Sequence, residues 1–99
     1  MSWAKFAIEA LKEGKRVQIK PRGQSMRGKV NDGALVTLDP VNPDNLIVGD
    51  IVLVRVKGKD YLHLIKAINQ GRCLIGNNRG GINGWVGKNC IYGIAVKIE

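Results

Sequence analysis

At 99 residues the chain has room for one modest hydrophobic core and not two, so a single domain over residues 1–99 is expected. With 44% of its residues apolar it is not a disordered tail. Lys and Arg outnumber Asp and Glu 16 to 8, and the resulting net charge of +8 favours an acidic partner or surface without naming one.

Residues 3–12 carry the one convincing helical period, with Trp3, Phe6, Ala7, Ala10 and Leu11 expected along a single face packed on the chain's own sheet. Ser2 is placed to cap this helix and Gly14 to end it. Beyond Gly14 the period becomes that of strands. Val17–Lys20 alternates as a half-buried strand, and Pro21 with Gly23 breaks it just before Ser25. The turn signal Asn31-Asp32-Gly33 introduces a strand at Ala34–Leu38, followed by a loop from Asp39 to Asn45. Ile51–Val56 is apolar enough for a central strand, and Lys57–Asp60 reads as a hairpin into Tyr61–Ile68. Gly71 separates that strand from Cys73–Ile75. The glycine-rich stretch Gly76–Gly87 reads as a long loop, and Ile91–Ile98 closes the chain as a strand. The expected fold is mainly β: a curled antiparallel domain with one N-terminal helix covering an opening of the sheet.

Cys73 and Cys90 are too far apart for a C-x-x-C motif, and His63 is the only histidine, so no metal site is expected. The thiols are expected to be reduced, buried and not joined. Without an apolar run of about 18 residues or a signal-peptide core, the chain reads as soluble and cytoplasmic, with no transmembrane segment. Nothing else reads as helical, so a helix-turn-helix domain is not expected.

Taken alone, Gly23-Gln24-Ser25 is ordinary turn chemistry. In chain order, however, Gly23-Gln24-Ser25-Met26, Asn31-Asp32-Gly33-Ala34-Leu35-Val36, Gly49-Asp50-Ile51-Val52, Tyr61-Leu62-His63-Leu64-Ile65, Gly76-Asn77-Asn78-Arg79 and Tyr92-Gly93-Ile94-Ala95-Val96 form a set. Across residues 15–98 the chain thereby resembles the catalytic β-domain shared by signal peptidases and LexA-type self-cleaving repressors. The resemblance implies Ser25 as nucleophile, with the backbone N–H groups of Ser25 and Met26 as the oxyanion hole. At the position of the general base stands His63, similar to the histidine of signal peptidases of the archaeal and endoplasmic-reticulum type, where bacterial relatives use lysine. An imidazole of ordinary pKa, about 6.5, is largely neutral at pH 7, whereas a lysine must first be desolvated to act as a base.

Lys66 is the competing base, but strand alternation is expected to turn it to the opposite side from His63. The family's orienting carboxylate is replaced at Asn77, leaving Asn77 or Asn78 as the residue expected to orient the imidazole. The usual proline after the serine-methionine pair is replaced by Gly28, which is expected to loosen the oxyanion geometry. Arg27 and Lys29 add positive charge beside Ser25, either as solvated side chains or as a preference for acidic peptide. The leading expectation is a small soluble serine endopeptidase or self-processing protein acting on a peptide or protein, without a cofactor. The alternatives are an impaired peptide-binding module of the same fold, and weak non-specific nucleic-acid binding through the basic surface. Aromatic residues make up only 5% of the chain, few for a base-stacking platform.

Overall fold

In the computed structural model, which describes residues 3–23 and 26–99, the strongest alternating run folds back on itself as a hairpin. Ile51–Val56 pairs in register with Lys59–Leu64 across a two-residue loop, in which Lys57 and Gly58 take positive φ of 52° and 81°. Two consecutive positive φ values match the right-handed twist of the strands that the loop joins. Around this hairpin seven strands form one antiparallel sheet: β1 (Val17–Ile19), β2 (Val36–Pro40), β3 (Ile51–Val56), β4 (Lys59–Asn69), β5 (Arg72–Gly76), β6 (Ile82–Gly87) and β7 (Ile91–Ile98). Their spatial order is β1-β2-β7-β3-β4-β5-β6. The helix α1 spans Lys5–Lys12. It is eight residues long, and no helix among the described residues is long and apolar enough to cross a membrane.

Both faces of the sheet are buried. Leu53, Leu62 and Leu64 point with Val36 and Leu38 to the face that α1 covers. Val52, Val54, Ile65, Cys73, Ile75 and Val86 fill the other. α1 does not lie over that second face; the sheet covers much of it by curling, and Cys90 packs against it. β3 and β6 are separated by two strands, about 14 Å in a flat sheet. Yet a Cβ on Gly84 of β6 would stand 3.8 Å from the Val56 side chain of β3.

The helix is set differently from its expected face. Ala4, Ala7, Ile8 and Leu11 are buried, whereas Trp3 and Phe6 are 53% and 73% exposed. Both stripes satisfy the helical period and share Ala7 and Leu11. Packing selects the one with the smaller residues, because α1 lies close to the sheet: a Cβ on Gly93 of β7 would stand 2.6 Å from Leu11 Cδ1. Gly14, at φ 80°, ends the helix as expected, with its N–H donating to Leu11 O and that of Lys15 to Ala10 O. The expected cap, Ser2, lies outside the described residues.

The glycine-rich segment contains a second departure. It is a short loop followed by β6, which pairs with β5, rather than one long loop. Cys73 is buried and Cys90 half-buried, and both are free thiols.

The Leu11–Gly93 contact yields a test. Gly93→Ala should overpack the site and lower stability by about 1–3 kcal/mol. Leu11→Ala should cost about 2–5 kcal/mol alone and markedly less in the Gly93→Ala background. Additive losses in urea unfolding of the double mutant would contradict this packing.

Candidate functional site

A cleft of about 460 Å³ separates the segment Lys20–Gly23, where β1 ends, from Asp60–His63 at the start of β4. Met26, Val30 and Leu62, all buried, supply its apolar lining, and Trp3 stands at its edge. Ser25 and Gln24 lie outside the described residues. Their described neighbours Gly23 and Met26 both line the cleft, as does His63.

The turn that follows is built on glycine and held at several points. Lys29 N–H and Val30 N–H donate to Met26 O at 3.0 and 2.7 Å, and Gly28 N–H donates to Asn31 Oδ1 at 3.2 Å. Gly28 has φ +96°, a conformation closed to proline, whose ring fixes φ near −65°. A glycine of this conformation allows a turn that proline could not adopt, with Asn31 Oδ1 accepting its N–H. Gly23 N–H likewise donates to Asp32 Oδ1 at 2.9 Å.

His63 is 6% exposed and sits opposite Val52 on the face away from α1. Its ring stacks on that of Tyr61, two residues earlier on the same side of β4, with centroids 4.8 Å apart. Its Nδ1 lies 2.7 Å from Asn83 Oδ1. An amide oxygen only accepts, so Nδ1 carries the proton and the lone pair of the neutral ring is on Nε2. Burial pushes the imidazole below its ordinary pKa of about 6.5, and the bond to Asn83 opposes the shift more weakly.

Asn83 reaches His63 because β6 is irregular there. Ile75 pairs with Gly84 and Gly76 with Ile82, so Asn83 is the extra residue of a β-bulge, with Gly84 at φ +139° beside it. Bulges re-aim a side chain out of the regular alternation. The residues expected to orient His63 have other roles. Asn77 Oδ1 accepts from Arg79 N–H and Gly81 N–H, each at 2.8 Å, and shapes its own loop. Asn78 Nδ2 donates to Arg27 O at 2.8 Å and so ties that loop to the turn after Met26. The sequence signal for Asn83 was the Asn-Gly pair at 83–84: within a strand, a glycine marks a bulge.

Lys66 is also a bulge residue, since Ile65 pairs with Ile75 and Ala67 with Leu74. Simple alternation therefore does not decide its direction, but its position does. Lys66 Cε lies 3.1 Å from where a Cβ on Gly76 would stand, and Lys66 does not line the cleft.

The wall formed by β4 has a further property. Ile65 exchanges backbone bonds with Gly49 and Asp50 on the β3 side, while Leu64 pairs with Gly76 on the β5 side. Alternation then turns Leu62 N–H and C=O away from β3, along an edge that β5 no longer covers and that borders the cleft. No protein-family model and no curated protein matches this chain.

The depressed His63 pKa makes stability depend on pH. The unfolded imidazole binds a proton as pH falls below about 6.5, before the folded one does, so stability is full above that pH and declines as pH falls toward the folded-state pKa. The slope should approach, but not exceed, about 1.4 kcal/mol per pH unit. Urea unfolding at pH 7.5 and 5.5 should show this loss, and His63→Gln should remove it; equal losses in both proteins would assign it to other groups.

Proposed function

We propose that this chain is a serine endopeptidase, or a self-processing relative, of the signal peptidase and LexA-type superfamily, with Ser25 as nucleophile and His63 as general base. The observation that carries the proposal is the cleft itself: it brings His63, protonated on Nδ1 by its bond to Asn83, together with Gly23 and Met26 from the serine-methionine segment. In the reaction Ser25 Oγ attacks a peptide carbonyl carbon while its proton passes to His63 Nε2. The backbone N–H groups of Ser25 and Met26 receive the developing oxyanion. The imidazolium then returns its proton to the leaving amine nitrogen as the C–N bond breaks, and water, activated by the same imidazole, releases the acyl group. Asn83 holds the ring in the required tautomer but supplies no negative charge, so the imidazolium is less stabilised than beside a carboxylate.

The Leu62 edge favours a second reading on the same site. An extended peptide pairing with β4 there would be bound by strand addition whether or not it is cut, and the chain would then be a peptide-binding module.

A fluorophosphonate probe separates the two. The unmodified protein should be labelled at Ser25; Ser25→Ala and His63→Ala should lose labelling by several orders of magnitude, because nucleophile and base act as one unit. Lys66→Ala should label almost normally. Asn83→Ala should slow labelling by roughly 100-fold, the scale for a misplaced catalytic group, and Asn83→Asp should label faster than the unmodified protein. Labelling that survives His63→Ala but is lost in Lys66→Ala would identify the wrong base, and no labelling at all would favour the binding module.

A further inference from the structure

We infer that the cleft selects an acidic peptide: an extended segment with an apolar residue over Met26, Val30 and Leu62 and carboxylate side chains beside it, facing Lys20 and Arg22. This rests on the cleft being a peptide site, as proposed above, and concerns which peptide it takes. A volume of about 460 Å³ is within the range of functional ligand sites, and the mixture of an apolar lining with a few charged groups is typical of them.

The charges on the two walls are not equivalent. Asp60, the carboxylate on the β4 wall, is held by both arms of Arg55, with Nε to Oδ1 at 2.8 Å and Nη2 to Oδ2 at 3.3 Å. Its side chain is 5% exposed, whereas that of Arg55 is 45% exposed. A planar, bidentate pair of this kind compensates the carboxylate, so Asp60 offers little to a basic substrate. Facing it, Lys20 and Arg22 are exposed and take part in none of the ion pairs among the described residues. A smaller hollow beside Gly23 adds Arg27 and one carboxylate, Asp32, which accepts the Gly23 N–H. The wall across from β4 is therefore net cationic within a molecule that is itself at +8, and an incoming carboxylate is favoured both at long range and at contact. A nucleic acid would share the charge, but not the apolar lining or the strand edge at Leu62.

Binding measured on the Ser25→Ala protein separates selection from hydrolysis. Two fluorescent peptides with the same central Leu, one flanked by Glu and the other by Lys, should differ in affinity by on the order of tenfold at low salt, the scale of two exposed ion pairs. The difference should shrink to within about threefold in roughly 0.5 M salt, where charges are screened beyond about 4 Å. The double charge reversal Lys20→Glu/Arg22→Glu changes only exposed side chains, and should invert the preference; Lys20→Ala/Arg22→Ala should abolish it, with circular dichroism melts confirming that both variants are folded. Equal affinity for the two peptides, or a preference unchanged in the folded variants, would overturn the inference. Displacement of the acidic peptide by an equimolar single-stranded oligonucleotide would overturn it too, by making nucleic acid the better occupant. Acidic-peptide selection by a protein that no fluorophosphonate labels would uphold this inference while refuting the hydrolytic reading.

Discussion

The bond between His63 Nδ1 and Asn83 Oδ1 joins β4 to β6, two strands that are not neighbours in the sheet. In a flat sheet their backbones would be nearly 10 Å apart, with β5 between them, and the side chains would stand parallel rather than meet. Two features bring them together: the sheet curls until β6 approaches β3, and the bulge at Asn83 turns an amide out of the strand's alternation. Curl, bulge and buried imidazole thus depend on one another. The same curl buries the face that α1 leaves uncovered, so the arrangement that serves the site also closes the second half of the core.

His63 is correspondingly set for one protonation state. Burial disfavours the imidazolium, and an amide in place of a carboxylate does little to restore it, so the ring is neutral at physiological pH with its proton on the Asn83 side. An uncharged Asn83 leaves the ring neutral, and in the proposed reaction it would stabilise an imidazolium less than a carboxylate would.

Most strands were legible in the sequence because their pattern is nearly all that decides them: Ile51–Val56, Tyr61–Ile68 and Ile91–Ile98 lie within or match observed strands. The helix was legible in place but not in facing, since Trp3-Phe6-Ala7 and Ala4-Ala7-Ile8 satisfy the same period and only the close approach to Gly93 distinguishes them. β6 was hidden by Gly84 and Gly87, which make a strand read as a loop; with it went Asn83, whose direction depends on a bulge and not on sequence distance from His63. His63 itself was singled out as a candidate through a resemblance in motif order. Its orienting partner could not be found that way, because Asn77 fills the expected motif position while its oxygen accepts the amides of its own loop.

The tautomer of His63 tests the central claim most directly. Long-range proton–nitrogen correlation spectra of the folded protein at pH 7.5, with the ring nitrogens labelled, distinguish a protonated nitrogen from a pyridine-like one. The arrangement described here requires Nδ1 to be protonated and Nε2 to be pyridine-like, with that distinction blurred in Asn83→Ala as the ring samples both tautomers. A ring protonated on Nε2 in the unmodified protein, or a spectrum indifferent to Asn83→Ala, would contradict it.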